Sequence, residues 1–75
     1  MNLLALTPGS EATIENFAGD SQQLERFSEM GLYQGMPVKV IHKMPFKGPV
    51  VVLAGRFFIA LREEEAQCIK IHIRP

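Results

Sequence analysis

The chain has 75 residues, of which 47% are hydrophobic, and its eight basic residues balance eight acidic residues. This length predicts one domain over residues 1–75, too small to hold a deep active-site cavity as well as a core. The balanced charge argues against a nucleic-acid binder, and the single cysteine, Cys68, excludes an internal disulfide. The longest apolar runs have five residues, whereas a membrane-spanning helix needs about 20. We therefore expect a cytoplasmic protein.

The first predicted element is a strand that follows a turn at Gly9. Polar and apolar residues alternate over Glu11–Glu15, which is the period of a half-buried strand. Ala12 and Ile14 are the predicted core residues. We expect a bulge or the end of the strand near Asn16, because the apolar phase changes there.

The second predicted element is a short helix that begins at Asp20. Gln23 stands three residues after this N-cap and could reach back to it, as in a capping box. The apolar stripe of the helix consists of Leu24, Phe27 and Met30. Gly31 is predicted to end the helix in the left-handed conformation, with Leu32 folding back onto the last turn.

Four further strands follow a turn at Gly35. Pro37 is tolerated only as the first residue of a strand. The predicted strands cover 37–43, 50–53, 56–61 and 69–73. Pro45–Pro49 forms a loop, and Glu63–Gln67 forms one helical turn whose three glutamates are solvated. Five short strands, with one helix between the first and the second, predict a mainly β, small antiparallel barrel.

The strand faces follow from a two-residue turn at Ala54-Gly55, which would pair Val52 with Phe57. Pairing Val40 with Val52 then completes a three-stranded register. The predicted core face consists of Val38, Val40, His42, Val50, Val52, Phe57, Ile59 and Leu61.

The opposite face carries an apolar row of Ile41, Val51 and Phe58. The basic residues expected around this row are Lys39, Lys43 and Arg56, with Phe46 and Lys47 nearby at a loop tip. An apolar row with a basic rim is typical of a protein-interaction surface. Alternatively, the N-terminal Leu3–Leu6 folds over the row, and the sequence leaves this alternative open.

The sequence contains no phosphate-binding loop and no serine–histidine–aspartate arrangement. Cys68 and His72 would lie about 13 Å apart on a strand, too far for one ion, and His42 with His72 would supply only two imidazoles. We therefore predict no enzyme activity, no metal site and no cofactor. Phe46 and Phe58 with the neighbouring lysines could form a nucleic-acid platform, but aliphatic neighbours of Phe58 suit a protein surface better.

The spacing of several motifs resembles the FeoA family, the ferrous iron transport protein A group. The motifs are Leu6-x-Pro8-Gly9, Ala12-x-Ile14, Glu29-Met30-Gly31-Leu32-x-x-Gly35-x-x-Val38-x-Val40, Pro45-x-x-x-Pro49 and Leu61-Arg62-x-x-Glu65-Ala66-x-x-Ile69. Together they cover nearly the whole chain. The matched Gly9, Gly31 and Gly35 are structural turns by our interpretation, and the resemblance assigns no catalytic residue.

The resemblance implies an SH3-like barrel that acts as a non-enzymatic accessory of Fe(II) uptake. Its implied partner is FeoB, a membrane Fe(II) transporter with a cytosolic GTP-binding domain, so contact with the membrane would occur only through that partner. Self-association stays open. The alternatives are a free-standing SH3-like module that binds a peptide segment of another protein and, less favoured, a small nucleic-acid-binding barrel.

Overall fold

The computed structural model describes residues 1–73. The elements in chain order are a 3-10 helix (Leu3–Ala5), β1 (Glu11–Phe17), α1 (Ser21–Glu29), β2 (Pro37–Lys43), β3 (Val50–Ala54), β4 (Phe57–Leu61), α2 (Glu63–Gln67) and β5 (Ile69–His72). The strands form one antiparallel sheet in the order β4-β3-β2-β1-β5. The predicted mainly β architecture, with one helix between the first two strands, is confirmed. None of the helices within residues 1–73 combines the length and apolarity that crossing a bilayer requires.

β1 lies between β2 and β5 and carries the predicted alternation. Ala12 and Ile14 are buried, whereas Glu11 and Glu15 are exposed. The register with β5 shifts between Ile14 and Asn16, which confirms the predicted bulge. The bulge reverses the phase of the strand, so that the apolar residue after Asn16 can turn toward the core.

The two ends of α1 follow the sequence signals. The Asp20 carboxylate accepts a hydrogen bond from the Gln23 backbone N–H at 2.8 Å. At the other end Gly31 has φ +84°, and Leu32 N–H donates to the carbonyl of Phe27 at 3.1 Å. Leu32 is buried, so the predicted helix end, with the left-handed glycine and the returning leucine, is confirmed.

The predicted apolar stripe of α1 is only partly correct. Phe27 is fully buried and stacks on Phe17 with ring centroids 5.2 Å apart, and Met30 packs partly buried against the core. Leu24, by contrast, is 42% exposed, because a helix of this length on a small sheet buries little more than one side of one turn. The predicted reach of Gln23 back to the cap does not form. Its side-chain nitrogen is buried and has no hydrogen-bond partner within residues 1–73.

The β3–β4 hairpin turns one residue later than predicted. Its central residues are Gly55 and Arg56, and Gly55 has φ +60°, as the first central position of a type II′ turn requires. Val52 therefore pairs with Ile59, not Phe57. Moving the turn by one residue moves each pairing partner by two residues, so every side chain stays on the predicted face of its strand. Phe57 is nevertheless 73% exposed and is not core, because it stands beside the turn on the outermost strand.

β2 contains a bulge that the sequence did not reveal. Val40 pairs with Val52 as predicted, but the register then shifts, so that His42 pairs with Val51 and Lys43 with Val50. Ile41 and His42 thus both lie opposite Val51. The shift corrects two predictions, because it turns His42 out to the exposed side and turns Lys43 toward the side of the buried Val50.

The N-terminal segment completes the core instead of covering the outer face. Leu3 and Leu6 are buried in the main hydrophobic cluster, and the 3-10 helix packs on α2 and β5. The half-buried Lys43 reaches this segment and donates to the Leu4 carbonyl at 2.6 Å. Phe58 remains 66% exposed. The alternative in which this segment folds over the apolar row is therefore wrong.

Candidate functional site

The predicted apolar row lies on the outer face of β2, β3 and β4. Across this face Lys39 pairs with Leu53, which pairs with Phe58, and Val51 pairs with Ala60 in the next row. We call the apolar members of this face the outer patch: Ile41, Val51, Leu53, Phe58 and Ala60. The three predicted apolar residues do share this face.

Exposure within the outer patch is uneven. The Phe58 side chain is 66% exposed and Ile41 is 39% exposed, whereas Val51 and Leu53 are half-buried. The direct neighbour of Phe58 is Leu53, which was not among the predicted site residues because the turn was placed one residue early. The alternation of Val51 and Leu53 along β3 was the signal that could have identified it.

The basic rim is smaller than predicted. Lys43 does not contribute to it, since its ammonium group is bonded to the Leu4 carbonyl. Lys39 is half-buried and lies opposite Glu11 across the β1–β2 pair, so its charge is partly balanced. Arg56 stands exposed in the turn, two residues before Phe58. The positive charge at the patch therefore comes mainly from Arg56, with a share from Lys39.

The loop tip with Phe46 and Lys47 stands at the other end of the hairpin. Phe46 is fully exposed, and both residues have φ +59°, a conformation that residues other than glycine adopt rarely. Lys47 shares a groove with Arg62 and the two glutamates that follow it. Phe58 lies three residues, or roughly 10 Å, from Leu61, the end of β4 that pairs with Val50 next to this loop. The loop tip is thus separate from the centre of the outer patch.

A groove of about 490 Å³ runs beside the outer patch over β1, β2 and β3. Its charged lining groups are Glu11 and Lys39, and the remainder is contributed by Ala12, Thr13, Pro37, Val38, Leu53 and Gly55.

Within the described part of the chain, no three histidine, cysteine, aspartate or glutamate side chains cluster closely enough to hold a metal ion. Cys68 is a half-buried free thiol.

Glu65 has a structural role that was missed when its segment was predicted to be solvated. The residue is 4% exposed, and its carboxylate joins α2 to α1 through an ion pair with the Arg26 guanidinium. Its other oxygen accepts from the Arg62 backbone N–H at 2.8 Å. Burial opposes ionisation, but the Arg62 amide and the Arg26 guanidinium outweigh it, and the pKa of Glu65 falls below its usual value. The signal was its position three residues after the helix N-cap, where a glutamate reaches back to the cap.

Comparisons with solved structures show close relatives of this fold. Iron(II) transport protein A from Clostridium thermocellum superposes with a TM-score of 0.90 and 29% identity, over 97% of this chain and 45% of that one. The FeoA protein from Chlorobium tepidum gives a TM-score of 0.87 and 29% identity, over 97% and 70% of the two chains. The third structure is FeoA from Stenotrophomonas maltophilia, complexed with zinc and described as a prokaryotic SH3 domain protein. It gives a TM-score of 0.81 and 26% identity, over 96% of this chain and 89% of that one.

These neighbours confirm the SH3-like fold, and this chain spans less than half the length of the first of them. No curated protein sequence matches the chain at a significant level. The FeoA-domain family model, however, matches residues 1–73. The chain therefore belongs to the FeoA family, which is associated with ferrous iron transport.

Proposed function

We propose that this protein is a non-enzymatic, cytoplasmic accessory of ferrous iron uptake, and that it docks through the outer patch on the cytosolic side of FeoB, the transporter that the family resemblance implies. One observation carries the choice of surface: the large aromatic side chain of Phe58 is 66% exposed on the apolar outer face of the sheet, beside Leu53. Family membership supports the link to iron transport.

The outer patch has the composition of a binding hot spot. An exposed aromatic anchor lies beside half-buried aliphatic side chains, and the exposed Arg56 stands in the turn that precedes its strand. Burying such an anchor on association stabilises a complex by about 1.5–3 kcal/mol, before any contribution from its neighbours. The exposed Arg56 would favour an acidic partner surface and accelerate the encounter.

The experiment is a binding measurement between this protein and the cytosolic domain of FeoB from the same cell. Phe58→Asp is expected to abolish binding, because it replaces the exposed aromatic side chain of the patch with a charge. Since Phe58 is exposed, the variant should keep the circular dichroism spectrum of the parent. Tyr33→Asp is the matched control, because Tyr33 is 57% exposed in the segment between α1 and β2, away from the patch, and it should bind as the parent does.

Two results would count against the proposal. If the parent does not bind the FeoB domain at all, the proposed function is wrong. If Phe58→Asp is folded and binds as well as Tyr33→Asp, the docking surface lies elsewhere on the molecule.

A further inference from the structure

The two edge strands of the sheet, β5 and β4, differ in whether another segment of the chain covers their outer backbone groups. β5 is covered along its outer side, since Asn2 bridges to Lys70 and Ile71 N–H donates to the Met1 carbonyl at 3.0 Å. Within residues 1–73, β4 pairs with β3 alone. An unpaired edge presents a row of N–H and C=O groups that can bind another extended chain.

The hairpin register shows which groups of β4 point outward. Ala54 and Phe57 close the two-residue turn as a hydrogen-bonded pair. Bonding alternates along an antiparallel ladder, so Ile59 and Leu61 also bond to β3, whereas Phe58 and Ala60 direct their backbone groups away from it. Within residues 1–73, no backbone group of Phe58 or Ala60 has a hydrogen-bond partner outside the sheet ladder.

The sequence of β4 lacks the features that normally block an edge. Natural edge strands carry a lysine, a proline, an inward charge or a bulge, whereas β4 consists of Phe57, Phe58, Ile59, Ala60 and Leu61 and pairs with β3 without a register shift. Phe57 and Phe58 are 73% and 66% exposed. The edge is thus apolar on both faces and sterically open.

The charges at the two ends of β4 distinguish between occupants. Arg56 immediately precedes the strand and Arg62 follows it, and both are exposed. If two copies paired antiparallel with their apolar segments fully overlapped, Ile59 would oppose itself and Arg56 would oppose Arg62 of the second copy at both ends. Like charges directly opposite each other destabilise a strand pair. A segment with acidic ends would instead meet a guanidinium at each end.

We propose that the β4 edge binds an extended segment of a partner protein by strand addition, and that this segment has an apolar centre of about five residues with an acidic residue at each end. The attraction is stronger at the Arg56 end, because Glu63 and Glu64 follow Arg62 and share a groove with it and Lys47. This inference concerns the backbone edge of β4 and holds for any partner, so it does not rest on docking to FeoB.

A proline tests the backbone edge without removing the β3–β4 ladder. Ala60→Pro deletes the outward N–H of residue 60, and proline is tolerated in an edge strand where its nitrogen faces solvent. Ala60→Val is the matched control, because it adds a larger side chain and keeps the N–H. Circular dichroism establishes that both variants are folded.

The probe is a fluorescein-labelled peptide of five alternating valine and threonine residues with a glutamate at each end, and a second peptide carries lysines instead. By fluorescence anisotropy, the acidic peptide should bind the full-length parent at least about fivefold more tightly than the lysine peptide. The glutamates would attract Arg56 and Arg62 across the strand pair, whereas lysines at the same positions would repel them. Ala60→Val should retain this binding, and Ala60→Pro should weaken it about tenfold or more. Amide exchange of Phe58 and Ala60 should slow when the acidic peptide is added.

Equal binding by Ala60→Pro and Ala60→Val, or no binding of either peptide, would overturn the inference. So would a dimer of the parent that Ala60→Pro dissociates, because the occupant would then be a second copy. If the acidic peptide binds Ala60→Pro as tightly as Ala60→Val, while FeoB binding is lost only in Phe58→Asp, strand addition is overturned and the proposed docking surface stands.

Discussion

Replacing Glu65 by glutamine tests the ion pair that joins α2 to α1. The glutamine can keep the acceptor for the Arg62 N–H, but it then presents an amide N–H₂ to the Arg26 guanidinium, which is also a donor. A hydrogen bond to a charged group contributes about 1.5–3 kcal/mol to the free energy of unfolding. A buried donor left without an acceptor costs about 1–3 kcal/mol more. The Arg26 side chain is 54% exposed, so its guanidinium can turn to water and the second cost falls away. We therefore expect the loss of the charged hydrogen bond alone, about 2 kcal/mol.

For a domain of this size, 1 kcal/mol shifts the melting temperature by about 4–8 °C, so the expected loss is about 8–16 °C at pH 7. Thermal unfolding followed by circular dichroism measures it. Glu64→Gln is the matched control, because Glu64 is exposed on the same helix, and its free energy of unfolding should change by no more than about 0.5 kcal/mol. If the two variants melt at the same temperature, the Arg26–Glu65 pair does not stabilise the fold.

A second measurement is how the difference in melting temperature between the parent and Glu65→Gln depends on pH. The pKa of Glu65 is lowered in the folded state from its usual 4.5, so its ionised form stabilises the fold above that value. The contribution is lost as the pH falls below 4.5 and passes through the lower folded pKa. The difference in melting temperature between the parent and Glu65→Gln should therefore be constant near neutral pH and should shrink in acid.

Three further predictions concern the helix α1. Gly31→Val should lower the free energy of unfolding by about 1–3 kcal/mol, because φ at this position is +84°. A Cβ there meets no atom within 4 Å, so the strain comes from the backbone alone. A parent-like melting curve would show that the helix does not end at Gly31. Asp20→Ala should cost about 1 kcal/mol by urea unfolding, because the Gln23 N–H loses its acceptor. Phe27→Ala should cost about 3–5 kcal/mol, whereas Leu24→Ala, at an exposed position, should cost less than about 1 kcal/mol; comparable losses would contradict the observed packing of the helix.

Local chemistry made most of the fold predictable. The alternation along β1, the Asp20 cap and the Gly31 helix end each depend on residues close together in the chain. Such signals report backbone preferences and side-chain periods that act over a few residues. The motif spacing that resembled the FeoA family also follows from these turns, and the family match over residues 1–73 confirmed it.

The predicted arrangement of the outer face was only partly correct, because it depends on strand register. The extra residue at Ile41 reverses the phase of β2, so Lys43 bonds to the N-terminal segment and does not join the basic rim. In β1 the apolar phase changes at the bulge, whereas either phase of β2 presents a plausible face, so the bulge in β2 has no local signature. The later turn at Gly55-Arg56 likewise made Leu53 the neighbour of Phe58.

The sequence by itself determined the class of fold, the number of strands, the ends of α1 and the face on which Phe58 lies, because these depend on a residue and its near neighbours. Only the tertiary structure decided that Glu65 is buried beside Arg26, that Leu3 completes the core and that β4 keeps an open edge. Each of these outcomes depends on which segments, distant in the chain, come to lie side by side. That choice is made by the packing of the whole core, which no single stretch of sequence contains.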